Sequence, residues 1–293
     1  MMEVKIIDGK AISAEIRSEL VVKTEKVKKE LGVVPGLSVI MVGDDPASAV
    51  YVRNKEKACA ELGFRSELYK LSADVSEVEI AELIDRLNAD SNVHGILIQL
   101  PLPRGINSKE LINRILPEKD VDAFNPYNIG LISTGNYGFL PCTPAGIVEL
   151  IRRSGIEIAG KRCVIIGRSN IVGKPMAMLM LNADATVTVC HSKTRDLASI
   201  CREADILISA VGKAGFVTAD MVKEGAVVID VGMNRNAEGK LCGDVDFAAV
   251  APKTSYITPV PGGVGPMTIT MLMRNTLYSA VHSCGAEGYS KYI

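Results

Sequence analysis

Three stretches in the first third of the chain repeat their apolar residues at helical spacing: Lys10 to Leu31, Ala47 to Leu62 and Ser76 to Asn88. Between them lie the runs "LSVIMVG", "FRSELYKL" and "GILIQL", which have strand length and β-branched content. Residues 1 to about 100 therefore predict alternating strand and helix around a mainly parallel sheet. From Pro101 to Pro144 the rhythm breaks, with six prolines in "PLPRGIN", "LPEKDVDAFNPYNIG" and "STGNYGFLPCTP". A long irregular connection of this kind is usually functional.

After a helix near Thr143 to Ser154 the alternation restarts. The strands "RCVIIG", "ATVTVC", "DILISAV" and "AVVIDVG" alternate with helices predicted after Gly173 and after Thr194, a Rossmann-like series. "NRNAEGKL" predicts a hairpin, and "YITPVPGGVGPMTITMLMRNTLYSAV" a strand, a glycine turn and a final helix. The fold class is α/β. A chain of 293 residues fits two domains at roughly 150 residues each.

Composition narrows the function. A net charge of -1 with no Lys/Arg-rich block, no Trp and only five Phe argues against nucleic acid as a partner. No apolar run is long enough to span a bilayer, so no membrane partner is expected. The opening "MMEVKIIDGKAISAEI" lacks a secretory apolar core. Seven scattered cysteines read as reduced core residues, and the expected compartment is the cytoplasm. With three histidines and no paired ligand spacing, no metal is expected.

In "VIIGRSNIVGKP", Gly167 and Gly173 sit where a strand turns into a helix and backbone amides can approach a phosphate. An NAD site places an acid about 20 residues further on. Here the second strand ends in "CHSKTRD", which brings His191, Ser192, Lys193 and Thr194, while Arg168 sits inside the first loop. Cationic and hydroxyl donors suit a ribose phosphate, so Arg168 and Ser192 are expected to favour NADP. The alternative is a solvated arginine and a helix-capping serine.

In "ASAVYVRNKEKACAELG", helical spacing puts Tyr51, Lys55, Ala58 and Leu62 on one stripe, with Cys59 beside it. Arg53, Glu56, Lys57 and Glu61 fall opposite. Lys55 is the charge that breaks the apolar stripe. Either its stem lies along apolar surface with the ammonium reaching out, or it is held where a lysine can exchange protons near neutral pH. Tyr51 suits a buried ring or a stacking face. Gln99 closes "GILIQL" at a carboxyl strand end, where ligands sit in parallel sheets. Asp122, in "KDVDAFNP", suits an amidine-like edge; the alternative for both Gln99 and Asp122 is ordinary loop chemistry.

Together "PASAVYVRNK", "GILIQLPLP", "PEKDVDAFNP", "PCTPAGI", "IIGRSNIVGKP", "CHSKT" and "PVPGGVGPMT" resemble the bifunctional methylenetetrahydrofolate dehydrogenase/methenyltetrahydrofolate cyclohydrolase family over nearly the whole chain. The resemblance implies a folate-binding catalytic domain (1–142 with 272–293), a Rossmann-type NADP-binding domain (143–271), a cleft between them, and a homodimer formed through the nucleotide domain. It implies that Lys55 handles the proton, that Tyr51 stacks along the folate, that Gln99 tunes the lysine, and that Asp122 holds the pterin. Gly167, Arg168, Ser169, Gly173 and Ser192 match the NADP positions, and Thr143 belongs to a matching block at the domain junction. Pro261, Gly262 and Gly263 match a turn that borders the substrate.

The chain departs from the family at Ala123, where glycine is common after the aspartate. The implied activities are NADP-dependent oxidation of 5,10-methylenetetrahydrofolate and hydrolysis of the methenyl product to 10-formyltetrahydrofolate. Two rival readings are a dehydrogenase of a small acid and a non-catalytic NADP-binding regulator.

Overall fold

The computed structural model describes residues 4–285, so residues 1–3 and 286–293 of the expected first domain lie outside the described residues. In chain order the elements are β1 (Lys5–Ile6), α1 (Gly9–Leu31), β2 (Gly36–Val42), α2 (Pro46–Glu61), β3 (Arg65–Leu71), α3 (Glu77–Ala89) and β4 (Gly95–Ile98). Next come α4 (Ser108–Arg114), α5 (Pro126–Thr134), α6 (Cys142–Arg153), β5 (Arg162–Ile166), α7 (Gly173–Asn182), β6 (Thr186–Cys190), α8 (Leu197–Cys201) and β7 (Ile206–Ser209). The chain closes with β8 (Val227–Asp230), β9 (Asn234–Arg235), β10 (Leu241–Cys242), α9 (Phe247–Val250), β11 (Tyr256–Ile257) and α10 (Val264–Ser283).

Two compact units result. One is Glu15–Leu140 with the described part of Ile269–Ile293; the other is Pro141–Thr268 with the described part of Met1–Ala14. Two of the three boundaries fall inside α1 and α10, and the third, between Leu140 and Pro141, lies just before α6. The first residues join the second unit because β1 pairs in parallel with β11, Lys5 opposite Tyr256. Two residues are too few to show a strand period, so the sequence alone places them with their chain neighbours.

The first unit holds a parallel sheet ordered β3-β2-β4. All seven positions of β2 are buried, as expected of a central parallel strand covered on both faces. Helix α3 lays Ile80, Leu83, Ile84 and Leu87 on this sheet at i, i+3, i+4 and i+7. It starts at a capping box, with Ser76 Oγ accepting from Glu79 N and Ser76 N donating to the Glu79 carboxylate.

The connection predicted as irregular carries two helices. Asn107 and Asn125 cap α4 and α5 through their side chains, and Pro126 is the first residue of α5. Proline fits that position because its missing N–H would have no helical partner there. Prolines in this stretch mark helix starts as well as breaks.

Helix α10 contributes a polar row to this unit. Asn275 Nδ2 donates to Val121 O and Leu140 O, both at 2.8 Å. The Ser279 hydroxyl lies 2.5 Å from His94 O and 2.7 Å from Glu118 O.

The second unit is a six-stranded sheet ordered β1-β11-β8-β7-β5-β6, with every pair parallel. Strands β7 and β8 are wholly buried, and their side chains meet Val217, Val222, Val245 and Ile257 in one core. The predicted hairpin is the antiparallel pair β9–β10. Five cysteines are buried as expected, whereas Cys242 is half-buried and Cys284 exposed. Cys242 lies on the short hairpin and Cys284 just past the end of α10, so neither faces a sheet.

Candidate active site

In the first unit, α2 and the end of β4 bring Lys55 and Gln99 together. Asp45 caps α2 by accepting from Ser48 N at 2.7 Å, and Pro46 opens it. Val52, Ala58, Cys59 and Leu62 hold the helix to the core, all at most 2 % exposed. Lys55 is half-buried, while Tyr51, one turn earlier, is exposed. The expected stripe therefore divides: Val52 fills the buried position of that turn, and Tyr51 stays partly exposed.

Lys55 Nζ donates to Gln99 Oε1 at 2.9 Å. Gln99 Nε2 donates to its neighbour Leu100 O at 2.7 Å, and Gln99 N continues the sheet ladder to Ile40 O. The amide is held at both ends, so its oxygen faces the lysine. The Leu100–Pro101 peptide is cis.

Asp122 is half-buried, two residues after a fully enclosed acid that the sequence reading passed over. Asp120 Oδ2 accepts from Asn125 N at 2.8 Å and Asn128 Nδ2 at 2.9 Å, tying the segment to the first turn of α5. Burial raises the Asp120 carboxyl to about 6 despite these bonds. Between the acids and α5, Ala123 stands at φ 56 and is fully buried. The residue where glycine is common thus adopts the left-handed conformation that glycine favours. The available signal was the asparagine spacing in "DVDAFNPYN", which brings Asn125 and Asn128 within reach of one carboxylate.

In the second unit, β5 and β6 end side by side, with Gly167 N donating to Cys190 O at 2.9 Å. Arg168 and Ser192 follow on adjacent loops, both exposed. Ser169 Oγ accepts from Val172 N at 3.2 Å and Gly173 N at 3.3 Å, so it closes the turn from within. The Gly167 and Gly173 amides bond within the protein, and both glycines also keep space clear around the turn. A Cβ on Gly167 would strike the Ala210 carbonyl oxygen, and one on Gly173 would strike the Gly167 carbonyl oxygen.

The helix predicted after Thr194 begins only at Leu197, because Thr194 is spent on the turn. Its Oγ1 accepts from His191 N at 2.8 Å, and Lys193 N donates to His191 Nδ1 at 3.2 Å. That turn presents Ser192.

Thr143 Oγ1 lies 3.0 Å from Thr268 Oγ1 in the same unit. The turn Pro261–Gly263 follows a cis Val260–Pro261 peptide, with Gly262 at φ 108. Its Gly262 carbonyl accepts from Lys10 N at 3.2 Å, which seats the turn on the start of α1.

Residues 7–122 match the catalytic domain of tetrahydrofolate dehydrogenase/cyclohydrolase, and residues 141–284 match its NAD(P)-binding domain. The chain belongs to the tetrahydrofolate dehydrogenase/cyclohydrolase family.

Among curated relatives, the bifunctional protein FolD of Agathobacter rectalis is 60% identical over 270 residues, spanning 92% of this chain and 96% of the relative. The structure of a bifunctional FolD enzyme from Campylobacter jejuni superposes with TM-score 0.93 at 51% identity, covering 96% of this chain and 99% of that one. A Trypanosoma brucei enzyme complexed with NADP and an inhibitor superposes with TM-score 0.92 at 42% identity, covering 98% of this chain and 100% of that one.

Proposed function

We propose that Lys55 is the proton carrier of a two-step folate reaction, in which 5,10-methylenetetrahydrofolate is oxidised to the methenyl form and the methenyl form is hydrolysed to 10-formyltetrahydrofolate. The observation that carries this reading is the Lys55–Gln99 hydrogen bond at a carboxyl strand end. An amine pointed by an amide that is itself fixed is a prepared proton carrier.

In hydrolysis, water adds to the methenyl carbon, Lys55 takes a proton from it, and a ring nitrogen receives a proton as the carbon–nitrogen bond breaks. Gln99 keeps the amine from swinging away. The Tyr51 ring stacks along the flat pterin, and Asp122 accepts from its amino-pyrimidine edge. In this division of labour, residues 1–142 with 272–293 serve the folate and residues 143–271 the dinucleotide.

The donor set of the second unit fits a phosphorylated dinucleotide: glycines where side chains would collide, and Arg168, Ser169 and Ser192 exposed on adjoining loops. NADP, when bound, supplies the hydride acceptor for the oxidation. Arg168 and Ser192 hold its ribose phosphate, Gly167, Ser169 and Gly173 shape its turn, Thr143 contributes to cofactor binding, and Pro261 to Gly263 contact substrate. Strand β6 supports a homodimer through this unit: it pairs with β5 on one side, and Thr186, Thr188 and Val189 are exposed. Five cysteines buried among apolar core residues support a cytoplasmic setting.

Mixing the protein with methylenetetrahydrofolate and NADP, and following the methenyl and reduced-nicotinamide absorbances separately, tests the reading. Both bands should rise, and the methenyl band should then decay. NADP binding with no spectral change would favour a non-catalytic regulator.

A further inference from the structure

The second unit contains two buried aspartates that the proposed chemistry does not use. Asp244 is fully buried, and its carboxylate accepts five hydrogen bonds. Oδ2 receives Val211 N at 2.7 Å, Gly212 N at 3.2 Å and Ser209 Oγ at 3.3 Å, while Oδ1 receives Lys213 N and Asn234 Nδ2, each at 2.9 Å. Three consecutive amides just past β7 thus converge on one carboxylate, an anion nest filled by the protein's own side chain.

Asp244 is itself seated by Asp230. Asp230 Oδ1 accepts from Asp244 N and Oδ2 from Val245 N, both at 2.9 Å. The two acids interlock through glycines: a Cβ on Gly243 would overlap the Asp230 carboxylate, and one on Gly232 would overlap that of Asp244.

The clamped segment backs onto the phosphate turn. Ala210 N donates to Ile166 O at 2.8 Å, and the Ala210 carbonyl occupies the space that a side chain at Gly167 would need. Val211 to Lys213 therefore follow directly from the wall of that turn, at the carboxyl ends of β5 and β7, where a dinucleotide lies in a Rossmann sheet.

Building on the proposed NADP site, we infer that Asp244, seated by Asp230, is a positioning residue for the dinucleotide, setting the backbone from Ala210 to Lys213 against which NADP binds. A carboxylate suits this task because all five of its partners are donors. An asparagine would turn an NH2 toward at least one of them.

The test is direct NADP binding by calorimetry, paired with methenyl hydrolysis measured without NADP and with the melting temperature. In Asp244→Asn the NADP dissociation constant should rise at least tenfold, far more than hydrolysis falls. Asn234→Ala removes one of the five bonds, and its effect should be about threefold. Asp246→Asn, an exposed acid two residues on, should leave NADP affinity unchanged and so excludes a general charge effect.

Unchanged NADP affinity in Asp244→Asn overturns the inference. So does a parallel fall of NADP affinity, hydrolysis and melting temperature in both Asp244→Asn and Asn234→Ala, which would make the clamp merely structural. A wild-type protein that fails to bind NADP would instead sink the underlying site.

Discussion

The Lys55 ammonium and the Gln99 amide oxygen meet at 2.9 Å, and the other end of the amide is tied to the Leu100 carbonyl. Replacing Gln99 by Glu puts a carboxylate where the neutral oxygen now sits and stabilises the charged form of the amine. Lys55 must be neutral to take the proton from water, so the acidic side of the hydrolysis pH profile should move to higher pH. A profile that stays in place would separate Gln99 from the proton chemistry.

Lys55→Met keeps much of the stem and removes the nitrogen. Hydrolysis should fall by at least about 100-fold, the usual range for a lost proton carrier, while NADP affinity stays within twofold. Steady-state hydrolysis and calorimetry on the same preparation check this, and undiminished hydrolysis would eliminate Lys55 as the carrier.

Arg168 lies on the loop next to Ser192, on strand ends joined by the Gly167–Cys190 hydrogen bond. Arg168→Gln should weaken NADP at least tenfold and NAD by less than twofold, as expected for a group that meets only the extra phosphate. Equal weakening of both dinucleotides in parallel titrations would contradict this role.

Ala123 occupies the left-handed region with its methyl group fully enclosed. In Ala123→Gly, relief of the backbone strain is offset by the lost methyl burial, so stability should change by less than about 1 kcal/mol. Ala123→Val adds bulk to a filled space and a β-branch at positive φ, and should cost at least about 2 kcal/mol. Urea unfolding of the two variants distinguishes them, and a valine variant as stable as the parent would contradict the backbone description.

His94 Nδ1 accepts from Gly36 N at 3.1 Å, and burial lowers this histidine from 6.5 to about 4. The unfolded chain takes up the proton first. Stability from this group is complete above about 6.5 and is lost as pH falls toward 4, by roughly 1–2 kcal/mol between pH 7 and pH 5. Asp120, raised to about 6, acts in the opposite sense: its contribution grows as pH falls from 6 toward 3.8. His94→Asn preserves the acceptor without the titration, so its denaturation midpoint should decline less than the parent's over that interval. Identical declines would refute the assignment.

Strong periodicity made most of the fold legible. The apolar positions of α3 and the continuous run of β2 mark their elements before any coordinates, because one packing face dominates each. The region around Pro126 was less legible, since proline signals a helix start as readily as a break. For the site, Lys55 stood out because its charge interrupts an apolar stripe, and Gln99 because it closes a buried strand. Asp120, Asp230 and Asp244 did not stand out. Their partners are mostly backbone amides, which leave no trace in residue type; only the flanking glycines of Asp230 and Asp244 hint at the tight approach.

The polar row of α10 reaches back across 135 to 185 residues of chain: Asn275 grips Val121 and Leu140, and Ser279 grips His94 and Glu118. Helix α10 must therefore be synthesised before the lysine-bearing half can lock shut. Until then, a nascent chain carries its proton machinery in an unfinished state and depends on late-arriving residues to complete it.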